Sequence, residues 1–157
     1  MKKKSKHRPI PREFLPNPLQ RLQKTPRDKA HKELARYHSA LTELMHSRAP
    51  SEESWRDSAD VVNLVTTMML HKGKLLRAEV EPALLAATES MKAAATRHLG
   101  EGKPLRLDAH GIAGLREVID MWAQCLEGYT QQEIAECRAE CARRCRAVER
   151  DPQRVSV

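Results

Sequence analysis

Large aromatic rings are scarce in this sequence: Phe14, Tyr37, Trp55, Trp122 and Tyr129 are the only ones in 157 residues. Strands favour aromatic and β-branched side chains, so a core drawn mainly from Leu, Val, Met and Ala points to helices packed on helices. No apolar run reaches 18 residues, which excludes a membrane-spanning helix. The lysines after Met1 are followed by prolines and not by an apolar stretch, so they do not read as a secretory signal. The four cysteines all fall at Cys125 or later, three of them on one expected helix, which is no disulfide framework. A reduced, cytoplasmic protein of one domain is expected.

Catalytic patterns are missing as well. The histidines, His7, His31, His38, His46, His71, His98 and His110, show no His-Glu-x-x-His or related ligand spacing. Gly100-Glu101-Gly102-Lys103 lacks both the spacing and the preceding strand of a phosphate-binding loop. No Cys/His pairing for a nucleophilic thiol is readable. The chain is therefore read as non-enzymatic, with no cofactor, no metal and no small-molecule substrate expected.

What the sequence does have is an uneven charge. Residues 1–29 carry ten basic residues against Glu13 and Asp28, a net +8, while the remaining 18 basic and 19 acidic residues net −1. Five prolines by Pro26 remove backbone donors and push their predecessors toward extended geometry. Residues 1–26 are thus read as a basic, proline-rich arm: 1–12 mobile, 13–26 extended and docked on the body through Phe14, Leu15, Leu19 and Leu22. A flexible cationic segment poor in aromatics attracts phosphates by counterion release and does not read bases. The candidate nucleic-acid contacts are Lys2, Lys3, Lys4, Lys6, Arg8 and Arg12, with Arg21 and Lys24 extending the track.

The body, residues 27–150, reads as about five helices, and 151–157 as a frayed tail. Thr25-Pro26-Arg27-Asp28 supplies a capping hydroxyl, a proline and an acid for a first helix to about Arg48, with Ala30, Leu34, Tyr37, Leu41 and Leu44 inward. Ser51 caps a second helix with Trp55, Ala59, Val62, Val65 and Met69 inward; Val61, Leu64 and Met68 widen the stripe, which predicts burial on more than one side. A third stretch runs from about Lys74 to Leu99 with Gly100 as its stop. Pro82 inside it predicts an irregular first part, because an interior proline costs about 3 kcal/mol. Asp108 caps a fourth helix to about Gly128, weakened at its start by Gly111 and Gly114. Thr130-Gln131-Gln132-Glu133 is a capping box for a fifth, with Ile134, Cys137, Cys141, Cys145 and Val148 inward.

Two features of that last helix invite functional readings. Its opening resembles the first helix of helix-turn-helix domains, but no Gly or Pro breaks the chain before Pro152, so the turn cannot form. Cys137, Cys141 and Cys145 step by four, placing neighbours about 6 Å apart along the axis. A zinc site would need a further ligand, and cysteine is commonly a small core hydrophobe; Cys125, Cys137, Cys141 and Cys145 are assigned to the core. Arg138, Arg143, Arg144, Arg146, Arg150 and Arg154 form a second basic cluster. It reads as a solvated face matched to the helix dipole, with auxiliary nucleic-acid contact as the alternative.

The opening His7-Arg8-Pro9-Ile10-Pro11 with Asn17-Pro18-Leu19, then Tyr37-His38-Ser39-Ala40-Leu41, Ser54-Trp55-Arg56-Asp57 with Val62-Asn63, and the closing 130–140 helix resemble a family of small basic helical proteins encoded by phages and prophages of proteobacteria. The resemblance spans about residues 7–142. It implies a mobile-element accessory protein in a bacterial cytoplasm and carries over no functional residues. The Lys-rich start and the cysteine-bearing last helix depart from it. Taken together, these features predict a protein that binds nucleic acid through its arm largely without sequence specificity. The alternative is an assembly factor acting through its helical body, with a second copy of the chain as a candidate partner.

Overall fold

The computed structural model describes residues 17–72 and 77–150. It is an all-α bundle of five helices: α1 (Arg27–His46), α2 (Glu52–Lys72), α3 (Arg77–Glu101), α4 (Ala109–Gly128) and α5 (Gln131–Arg150), preceded by one 3-10 turn at Pro18–Gln20. Among the described residues the sole strand-like pairing is an isolated bridge between Lys24 and Thr130.

α4 is the central element. Leu115, Val118, Ile119 and Trp122 have no measurable exposure, and the helix touches α1, α2 and α3. Tyr37, Leu41 and Leu44 of α1 and Val61, Val65 and Met68 of α2 fill the core on one side; Val80, Ala87, Met91 and Ala94 of α3 fill it on another. α2 is buried on two faces, as its wide stripe predicts, because α5 packs on its far side through Ile134, Cys137 and Cys141. Leu105 and Leu107 are buried and tie the α3–α4 loop down.

The helix starts follow the local chemistry in most cases. The Ser51 hydroxyl accepts from the Ser54 N–H at 3.2 Å, and Thr130 and Glu133 close the reciprocal capping box of α5. At α4, Asp108 Oδ1 accepts from the Gly111 N–H at 2.7 Å and from the Ser90 hydroxyl at 3.0 Å.

Several expectations are corrected. Thr25 does not cap α1: Pro26 takes that position, with no side-chain bond. Gly102, at φ +66°, and not Gly100, ends α3; its N–H donates to the His98 carbonyl and that of Lys103 to the Arg97 carbonyl. α3 is helical from Arg77 straight through Pro82. Pro82 lies in its second turn, so a single bond is lost, and burial of Val80, Ala83 and Leu84 around it offsets that loss. Gly111 and Gly114 are contact points and not weak spots. A Cβ on Gly114 would sit 2.6 Å from the Ala83 carbonyl oxygen and 2.9 Å from the Ala86 Cβ, so glycine lets α3 and α4 approach. The Phe14 and Leu15 part of the arm, and the 151–157 tail, lie outside the described residues.

Replacing Gly114 with Ala overpacks a backbone contact and should cost about 1–3 kcal/mol. A thermal melt should then show a midpoint several degrees lower, and an unchanged midpoint would mean the helices can separate freely. The acid limb offers a second check. Hydrogen bonds from the Gly111 N–H and Ser90 hold the Asp108 carboxyl below its ordinary value, and the Ser54 and Ser51 donors do the same for Glu43. A depressed folded value stabilises above the unfolded pKa, near 4, and that stability is lost as pH falls through the folded one. Stability should therefore decline below about pH 4, and less steeply in Asp108→Asn, measured by denaturant titration at stepped pH.

Candidate nucleic-acid interface

Of the eight expected contacts, Lys2, Lys3, Lys4, Lys6, Arg8 and Arg12 lie outside the described residues. Arg21 and Lys24 lie within them, and both meet the body at the α4–α5 corner. The first N–H groups of a helix have no partner inside it; here the Gln131 N–H donates to the Gln23 carbonyl at 2.8 Å and the Gln132 N–H to the Arg21 carbonyl at 3.1 Å. Lys24 Nζ donates to the Gly128 carbonyl at the negative end of α4, where a cation is favoured. Gln131 Nε2 donates to the Lys24 carbonyl at 3.1 Å. The segment before α1 is thus fastened through its main chain. The apolar docking expected of Leu19 and Leu22 does not occur, since they are 83% and 85% exposed.

α1 starts directly after this anchor with Arg27, Lys29 and Lys32 exposed and without ion-pair partners among the described residues. Basic residues in the first turns of a helix oppose its dipole, so these positions are not explained by helix stability. Further along, α1 and α5 flank an open cleft of about 760 Å³ floored by Asp60 and Leu64 of α2. Lys29, Lys32, Arg36 and Arg138 line it against two acids, Glu33 and Asp60.

Both acids are occupied. Glu33 accepts from the Trp122 indole N–H at 2.9 Å and pairs with Arg138 at 2.5 Å. Asp60 accepts from Arg36 at 2.7 Å and from the Tyr37 hydroxyl at 2.8 Å; burial and that carboxylate push the Tyr37 phenol well above its ordinary range. The lysines have no such partner, and Arg138 Nε is buried with no hydrogen-bond acceptor.

The sequence reading missed Glu33. Its signal was an acid in register with the inward residues Ala30 and Tyr37, on a chain with a core tryptophan that needs an acceptor. Arg138, grouped with the arginine cluster of α5, is spoken for by Glu33. Arg143 pairs with Glu140, while Arg144, Arg146 and Arg150 are exposed.

The cysteines divide three to one. Cys125, Cys137 and Cys141 are buried, as expected, but Cys145 is exposed and Val148 is 46% exposed, at an open groove between α2 and the second half of α5 where Asn63 Nδ2 lies 3.9 Å from the Cys145 sulfur. No group of three or more His, Cys, Asp or Glu among the described residues could hold a metal ion. Burial pushes the Cys125 and Cys141 thiols up to about 11 and that of Cys137 to about 12.

No family model, curated protein or solved structure matches this chain. Among the described residues, no helix is long and apolar enough to cross a membrane.

Thiol labelling tests this placement. A maleimide at neutral pH should modify one thiol of the native protein, Cys145, and four after denaturation. Rapid native modification of Cys137 or Cys141, seen by mass spectrometry, would contradict the packing of α5 on α2.

Proposed function

We propose that this protein is a non-enzymatic accessory protein that binds nucleic acid through phosphate contacts, largely without sequence preference, in the setting of a phage or prophage. The observation that carries the reading is the +8 charge of residues 1–29 against −1 for the rest of the chain. Lys2, Lys3, Lys4, Lys6, Arg8 and Arg12 supply most of the contacts. Arg21 and Lys24 extend them to the body, and Lys24 keeps ammonium hydrogens beyond the one given to Gly128. Lysine outnumbers arginine at the start, which suits diffuse attraction better than the bidentate recognition of bases. Support also comes from Arg27, Lys29 and Lys32, which continue the cationic track onto α1 without ion-pair partners among the described residues.

A second reading, an assembly factor acting through the helical body, is favoured by the exposed Leu70, Leu85 and Leu99, at 50%, 57% and 87%. Each is an apolar side chain that a protein partner or a second copy of the chain could cover; Leu85 and Leu99 lie about 21 Å apart along α3.

Band-shift titrations with DNA and RNA at two salt concentrations separate the two. Five or six phosphate contacts should give log affinity against log salt a slope of roughly −5. Deleting residues 1–12 should flatten the slope and weaken binding at least tenfold. Binding undiminished by the deletion would refute the arm's role, and no binding at low salt would leave the protein-partner reading.

A further inference from the structure

We infer that the cleft between α1 and α5 is a phosphate seat, in which Lys29, Lys32 and Arg138 hold phosphodiester groups of the bound nucleic acid against the folded body. The inference rests on the nucleic-acid reading above and adds to it a fixed site on the bundle.

Three independent features converge there. The first is an unsatisfied donor. Arg138 uses its terminal nitrogen on Glu33, and its Nε–H is one of three buried side-chain donors, with Arg21 Nε and Trp55 Nε1, that lack an acceptor among the described residues; it is the one that belongs to a residue of this cleft. Burying such a donor unpaired costs about 1–3 kcal/mol, and native proteins seldom leave it so without a reason. Nε itself has no reachable surface, so a phosphate oxygen would meet the exposed part of the guanidinium, whose side chain is 37% exposed, and guanidinium–phosphate hydrogen bonds are among the stronger ones.

The second is the charge balance of the walls. Glu33 and Asp60 are engaged by Arg138 and Arg36, so the two inner arginines are neutralised and held in place. Lys29 and Lys32 at α1's end of the cleft have no counter-charge among the described residues. Arg36 also meets Asp57 at 3.5 Å, so the four cations of the cleft face three acids and keep an excess of one positive charge.

The third is position. α1 and α5 advance in the same direction: Gln23 meets Gln131, and further along Glu33 meets Arg138. The chain before α1 is clamped to the start of α5, so its Arg21 and Lys24 lie at the end of the helix pair that flanks the cleft. Arm and cleft can therefore act on one stretch of backbone. The one aromatic ring among the cleft residues, Tyr37, is 1% exposed, so no base can stack on it. The cleft suits phosphates and not splayed bases.

The test compares two doubly neutralised variants of the full chain on a 20-base-pair DNA duplex. Lys29→Gln with Lys32→Gln removes the free cations of the cleft; Lys92→Gln with Arg106→Gln removes the same charge from exposed positions elsewhere. If the lysines hold phosphates, the salt slope should become shallower by about 1.8 in the cleft variant alone, with affinity at least tenfold lower at moderate salt. The cleft variant should melt no lower than the parent, since cations are removed from the positive end of a helix; a lower melt would assign the lysines a structural role and overturn the seat. Equal weakening of both variants would overturn the seat and leave the nucleic-acid reading standing, whereas a parent chain that binds no duplex at low salt would sink both. The Arg138 Nε–H resonance in isotope-labelled protein gives a second readout. It should shift on adding duplex; a shift with sodium phosphate at matched ionic strength but none with duplex would overturn a nucleic-acid origin for the phosphate.

Discussion

One carboxylate ties three helices together. Trp122 is the largest fully buried side chain, and its indole N–H cannot be left without an acceptor in the core. Glu33 of α1 reaches in to accept it and is in turn met by Arg138 of α5. Glu33 is part-buried and Arg138 half-exposed, so each charge is partly withdrawn from water and the pair offsets that loss for both. α4, α1 and α5 are thereby held to one mutual arrangement. The α1–α5 cleft inherits its width from that bridge.

The second constraint is main-chain accounting at the α4–α5 corner. Two residues separate the helices, so the last carbonyls of one and the first N–H groups of the other face each other's surroundings and need partners. The segment before α1 supplies both kinds: carbonyls of Arg21 and Gln23 for α5, and the Lys24 ammonium for α4. A stretch that looks like a linker is therefore a cap for two helices. It is also the point from which the excess positive charge departs. Structure and proposed function meet at this corner, because Arg21 and Lys24, two of the proposed phosphate contacts, also anchor this segment to the body.

The α3–α4 contact shows how small residues set a fold with few aromatics. With little ring area to bury, stability comes from close approach: Ala83, Ala86 and Ala87 of α3 meet Gly114 of α4 at backbone distance, and Ser90 meets Gly111. Ser90 does polar work at the same crossing, bonding the Asp108 cap. This contact accounts for a helix that keeps its course through Pro82: the flanking apolar side chains are buried whether or not one hydrogen bond is missing.

The sequence by itself determined the helical class, the five segments to within a few residues, the caps at Ser51, Asp108 and Thr130, and the charge imbalance. Each of these follows from interactions among residues close in the chain, or from composition. Only the tertiary structure decided that Leu19 and Leu22 stay in water, that Gly102 and not Gly100 stops α3, and that Cys145 and Val148 border an open groove beside α2 and are not buried against it. Periodicity says which side of a helix is apolar but not how closely a neighbouring helix packs on it. Glu33 and Arg138 likewise became a pair only through packing. They lie 105 residues apart, and no local pattern can report a contact made by the closing of the bundle.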